Sequence, residues 1–155
     1  MSICVGNLDS LASKWHLEHF DEEERAAWED LATTRRFQPV TMTAMLDELL
    51  GMGFSSMAVA RLVDVPVSQV QRWRTVDAWM LAERFRVADL LATCDLLKSR
   101  FGCEDPAGWF ETPLVPGCVV DMAEIYCAGR FGLVMDLASG RESRESVLDA
   151  YDPEW

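Results

Sequence analysis

GFSSMAVARLVDVPVSQVQRWR, residues 53–74, has the spacing of two short helices that cross steeply over one shared core. Ala60 is small enough to permit a close crossing, Asp64-Val65 falls at the turn, and Val65, Val70 and Trp73 are placed to fill the space beneath. Ser55 or Ser56 can start the first helix. The second helix is left with Val67, Ser68, Gln69, Gln71 and Arg72, side chains that are small, amide-bearing or cationic and so suited to base edges in a major groove. The segment therefore reads as a helix-turn-helix. Ser68, Gln69, Gln71 and Arg72 are the candidate base readers, and Ser55, Ser56, Arg61 and Arg74 the candidate phosphate contacts.

Charge agrees with that placement. The chain has 155 residues and a formal net charge of -12, unevenly spread. Residues 1–31 carry eight acids and two bases, 32–75 three and five, 76–104 five and four, and 105–155 ten and three. The net-positive segment is the one that holds the helix-turn-helix, as phosphate contact requires. A surplus of two bases is thin for a DNA binder, so either pairing of two copies supplies affinity or the lone subunit binds weakly.

Working toward the amino terminus, the order of elements predicts helices throughout. SLASKWHLEHFDEEERAAWEDLATTRRF reads as two, the first capped by Ser10 and the second by Asp21 with Glu24 in a capping box, Arg35 and Arg36 favouring its carboxyl end. Trp15, Leu17, Phe20, Trp28 and Leu31 are its expected buried positions. His16, His19 and Glu23 share a spacing that a metal could use, but two histidines beside an acidic helix start read as ordinary surface residues. After Gln38-Pro39, Thr43 can cap a helix that Gly51 or Gly53 ends.

Toward the carboxyl terminus, Leu81, Phe85, Ala88, Leu91, Cys94, Leu97 and Phe101 recur at three- and four-residue intervals, which predicts one long amphipathic helix from Asp77 to Arg100, stopped by Gly102. This helix is expected to act as a connector. Asp105-Pro106 opens a short helix, Asp121 caps another that Gly129 ends, and RFGLVMDLAS forms a third ending at Gly140. The final fifteen residues carry a helical turn or two around Val147 and Leu148. Nothing alternates with a period of two, so little sheet is expected. The expected architecture is all-α: an acidic segment 1–38, a helix-turn-helix 39–75, a connecting helix 76–104, and a small helical domain 105–155 for toxin binding or dimerisation.

Several function classes are excluded or disfavoured. No apolar run approaches the roughly 20 residues that cross a bilayer, and MSICVGNLDS lacks a basic stretch followed by an apolar one, so a soluble, unprocessed, cytoplasmic protein without a membrane partner is expected. Cys4, Cys94, Cys103, Cys118 and Cys127 form no CxxC pair and read as reduced cysteines, three of them among apolar neighbours. There is no GxSxG, phosphate-cradling glycine loop or HExxH, so neither catalysis nor a cofactor or metal is expected.

Residues 53–74 resemble the helix-turn-helix of Xre-like regulators, with Asp64 where that family favours a glycine and Pro66 where it favours a capping serine. Residues 88–140 resemble the toxin-binding domain of the Xre/MbcA/ParS antitoxins through Phe101-Gly102, Asp105, Trp109, Pro113-Leu114 with Gly117, Gly129, Leu137 and Gly140. Together the two matches span roughly half of the chain. The resemblance implies a DNA-binding antitoxin that represses its own operon as a multimer and neutralises a RES-type, NAD-consuming toxin. It also implies that the tail beyond Gly140 reaches the toxin's pocket. Tyr151 and Trp155 offer stacking surface there, and Asp152 and Glu154 offer charge for an arginine-lined cavity. Three alternatives stand beside it: a tail folded on its own domain, a phage or chromosomal repressor without a toxin, and an acidic adaptor that binds protein rather than DNA.

Overall fold

The structure, a computed structural model, describes residues 21–154. Among these the chain is all-α, with nine helices and no strand: α1 Glu22–Phe37, α2 Met42–Gly51, α3 Ser56–Val63, α4 Val67–Trp73, α5 Leu81–Phe101, α6 Pro106–Glu111, α7 Met122–Cys127, α8 Phe131–Ser139 and α9 Arg144–Tyr151. One isolated antiparallel bridge joins Pro113 to Asp121. The readings of Ser10, Trp15, His16, Leu17, His19 and Phe20 lie outside the described residues.

The described residues divide into two compact units, 23–112 and 113–154, the second also taking in Asp21 and Glu22. The division differs from the expected one at two places. α1 belongs with the helix-turn-helix, and so does α6, whose Phe110 is fully buried with its ring 6.1 Å from that of Phe54. The passage from one unit to the next therefore falls after Thr112, rather than before Asp105.

In the 23–112 unit α5 is the core element, not a connector. Val87, Ala88, Leu90, Leu91, Ala92, Thr93, Cys94, Leu96 and Leu97 are all buried, so its middle is enclosed on most sides. A helix apolar around its circumference is what burial between several neighbours demands. It also starts later than the pattern predicts. Residues 77–80 are not helical, because the Asp77 carboxylate accepts from the Met42 N–H at 2.9 Å and from the Trp79 indole N–H at 3.0 Å. Glu83 then accepts from the Met80 N–H at 2.9 Å and opens the helix. At the far end Gly102 adopts the left-handed conformation, φ 67°, and Cys103 N–H reaches back to the Leu97 carbonyl.

α1 is fastened by charge. Arg35 donates to Asp95 of α5 at 2.7 and 2.9 Å and to both carboxylate oxygens of Glu48 of α2, while Arg36 forks onto Asp89 of α5 at 2.8 Å. These carboxylates raise both guanidinium pKa values above the ordinary arginine range, hydrogen bonding being the largest cause. Trp28 and Leu31 are only half-buried, Trp28 donating its indole N–H to Thr93 Oγ1 at 3.0 Å; Ala32 and Glu24 are the fully buried positions. The cap of α2 is Thr41, which accepts from the Ala44 N–H, and not Thr43, whose hydroxyl donates to the Trp73 carbonyl at 2.6 Å.

The unit from Pro113 onward packs α7, α8 and α9 around Leu114, Ile125, Leu133, Val134, Met135, Val147 and Leu148, all buried. Asp121 and Ser143 cap α7 and α9, and Gly140 ends α8. α9 is longer than the expected turn or two and runs through Tyr151.

Candidate nucleic-acid interface

α3 and α4 form the helix-turn-helix that the spacing predicts. Ser55 caps α3, its hydroxyl oxygen accepting from the Ala58 N–H at 3.0 Å. Val59, Ala60, Val63, Val70 and Trp73 are buried between the two helices and their neighbours; Val65 is half-buried and contributes less than expected. Asp64 carries the turn at φ 57°, ψ 56°, and Val65 N–H closes it on the Ala60 carbonyl at 3.0 Å. Pro66 then precedes α4 with no side-chain cap, its carbonyl accepting from the Gln69 N–H at 2.9 Å.

A left-handed aspartate costs less than most residues but more than glycine. The Asp64 side chain makes no hydrogen bond, so its replacement loses none. Asp64→Gly is expected to stabilise the 23–112 unit by about 0.5–1 kcal/mol, and Asp64→Val to destabilise it by about 1–2 kcal/mol. Thermal denaturation of the two variants checks this, and a loss of stability in the glycine variant would show that the carboxylate has a structural role.

Val67, Ser68, Gln71 and Arg72 of α4 are exposed, and Arg74, also exposed, follows just beyond the helix. Arg61 and Ser55 are exposed on and before α3, while Ser56 is half-buried. Gln69 is set apart from the other candidate readers: it is half-buried and its amide lies 3.4 and 3.5 Å from the Glu83 oxygens. The structure thus brings Ser68, Gln71 and Arg72 to the solvent face of α4 and turns Gln69 toward α5. Glu83 was not among the sequence candidates, although its place three residues after Met80, at the first turn of α5, is a helix-start spacing.

No family model, curated protein or solved structure matches the chain. The chemistry of the interface therefore rests on its own residues.

The candidate partner-binding residues sit in the other unit. Tyr151 ends α9 and is half-buried, with the Arg130 guanidinium 5.9 Å from its ring. Burial, then a hydrogen bond to Glu124, raises its pKa above the ordinary tyrosine range. Asp152 accepts from the Glu154 N–H at 3.2 Å, and Glu154 is exposed; Trp155 lies outside the described residues. Tyr151 is thus held against its own unit, which leaves Asp152 and Glu154 as the candidate partner contacts among the described residues that follow α9.

None of the four described cysteines is in a disulfide; of them only Cys94 is fully buried, and burial pushes its thiol up to about 12. Cys103 and Cys118 are half-buried and Cys127 exposed, so the expected apolar setting applies in full to one of them. Among the described residues no three His, Cys, Asp or Glu side chains gather as a metal would need, and no helix is long and apolar enough to cross a membrane.

Proposed function

We propose that the chain is a DNA-binding antitoxin and transcriptional autorepressor that reads a double-stranded operator through α4 as a homo-oligomer. The observation that carries this reading is the exposed row Ser68, Gln71 and Arg72 on a helix whose opposite face is locked into the core by Val70 and Trp73. A rigidly seated short helix with an amide and a guanidinium outward meets the geometric demand of major-groove recognition. Ser55, Arg61 and Arg74, exposed around it, suit phosphates. Gln69, engaged with Glu83, has a positioning role in this reading instead of a base contact. The proposed partner of the unit from Pro113 onward is a cognate RES-type protein toxin.

Gel-shift titration with the DNA upstream of the chain's own coding sequence tests the reader. Binding should weaken steeply with salt, and Gln71→Ala with Arg72→Ala should cost roughly 100-fold or more in affinity. Wild-type binding by the double variant, or no binding at any salt, sinks the assignment of α4.

A second reading, a repressor without a toxin, is favoured by Tyr151 being packed against Glu124 and Arg130 of its own unit. Truncation after Tyr151 separates the two, since it removes the tail but leaves α9 intact. Loss of toxin neutralisation with operator binding retained supports the antitoxin.

A further inference from the structure

A cavity of about 320 Å³ lies where the end of α1 and the turn after it meet the first turns of α5, in the same unit as the helix-turn-helix. Its walls are apolar and open: Phe37 is 69% exposed, Leu81 60%, Val40 41% and Trp79 38%. Phe85 completes them, its ring centroid 5.7 Å from that of Phe37 in an edge-on arrangement. Large apolar side chains gathered on one concave surface mark a binding site more often than a bare surface.

What gives this cavity a chemical preference is Arg84. It is 6% exposed, and its guanidinium lies 5.0 Å from the Trp79 ring centroid. Nη2 donates to the Gln38 carbonyl at 2.7 Å and Nε to the Arg36 carbonyl at 3.4 Å. Nη1 makes no hydrogen bond and is not among the enclosed unpartnered atoms, so it remains open to an acceptor. Arg84 has no carboxylate partner among the described residues; the nearby Asp89 is taken by Arg36. A buried cation that meets only carbonyl dipoles and a ring face, with no counter-charge, is costly, and an anion delivered to it recovers part of that cost. Of the other polar lining residues, Arg36 has its guanidinium on Asp89 and Gln38 has its amide nitrogen enclosed; the rest of the lining is hydrocarbon and aromatic, which leaves fewer open donors than a phosphate requires.

We propose that this cleft binds a small apolar carboxylic acid, its carboxylate on Arg84 and its hydrocarbon frame against Phe37, Trp79 and Leu81. The volume sits at the small end of ligand pockets, about 300 Å³ upward, which fits a free acid of one ring or a short branched chain. The site is separate from the exposed face of α4 and does not depend on DNA binding.

The test is a titration of the full chain, labelled with nitrogen-15, with phenylacetate, followed at the Trp79 indole N–H and the Arg84 Nε–H. Phenylacetate is expected to give saturable shifts at both. Phenylacetamide, of the same shape without charge, should bind at least tenfold more weakly, and inorganic phosphate should give no saturable shift. Leu81→Glu places a carboxylate at the mouth, where the native side chain is mostly exposed, and should weaken phenylacetate more than tenfold with the thermal midpoint unchanged. Arg84→Met should abolish binding; if that variant does not fold, Leu81→Glu still decides. The proposal is overturned if phenylacetate fails to saturate, if the amide binds equally well, or if Leu81→Glu leaves phenylacetate binding intact. Saturation at Trp79 by the peptide AYDPEW where phenylacetate gives none overturns it too, by assigning the cleft to a protein segment.

Discussion

Trp73→Ala is expected to cost the 23–112 unit about 3–5 kcal/mol, the range for removing a fully buried aromatic side chain. Trp73 is completely enclosed at the end of α4, and its backbone carbonyl accepts the Thr43 hydroxyl of α2. α4 packs against α3 and α2, so removing the indole opens a cavity at that junction and loosens the seat of α4. Against a typical total stability of about 5–15 kcal/mol, this is a large fraction. It corresponds to a fall in midpoint on the order of 10–30 °C for a unit of this size. Trp73→Phe should cost clearly less, because it also removes the buried indole N–H, which has no acceptor. Urea titration of both variants, followed by circular dichroism, checks the pair. A loss below about 1 kcal/mol for the alanine variant would contradict the burial of this side chain.

Phe110→Ala should cost about 3–5 kcal/mol as well, and its location makes it the more diagnostic. Phe110 is fully buried, tilted against Phe54 and edge-on to Trp109 at 5.3 Å. Gly53 is part of the same arrangement: at φ 105° it is hostile to side chains, and an added Cβ would lie 3.6 Å from Ala107 of α6. α6 therefore packs beneath the turn that launches α3. In hydrogen-exchange mass spectrometry Phe110→Ala should lower the protection of α2 to α5. If the loss of protection is confined to residues beyond Pro113, α6 does not belong to the helix-turn-helix unit.

These two side chains also show where sequence reasoning stopped. Helix ends were legible because their causes are local: Ser55, Asp105 and Asp121 cap the next helix three residues away, and Gly102 and Gly140 end helices in a conformation that glycine adopts freely. The helix pair was legible from Ala60, Val70 and Trp73 for the same reason. Partners distant in sequence were not. Asp77 leaves the helical pattern because its acceptor oxygen is used by Met42, 35 residues earlier, and Thr43 gives up a cap to reach Trp73, 30 residues later. Amphipathic spacing made α5 look one-sided, although a helix surrounded by neighbours keeps the same spacing on its most apolar face. Of the candidate DNA contacts, Ser68, Gln71, Arg72 and Arg74 are as exposed as their chemistry suggested. Gln69 is not, since no local rule anticipates Glu83 arriving from another helix.

The fastening of α1 has a consequence for the order in which the unit assembles. Arg35 meets Asp95 across 60 residues and Trp28 meets Thr93 across 65, whereas α3 and α4 close on each other within a single turn. Loop closure costs more as the intervening chain lengthens, and contacts distant in sequence form later. The helix pair can therefore begin to assemble from nearby residues, and α1 is set to dock once α5 is in place to receive its arginines. An opening fluctuation that releases α1 would free Arg35 and Arg36 while leaving the pairing of α3 with α4 standing.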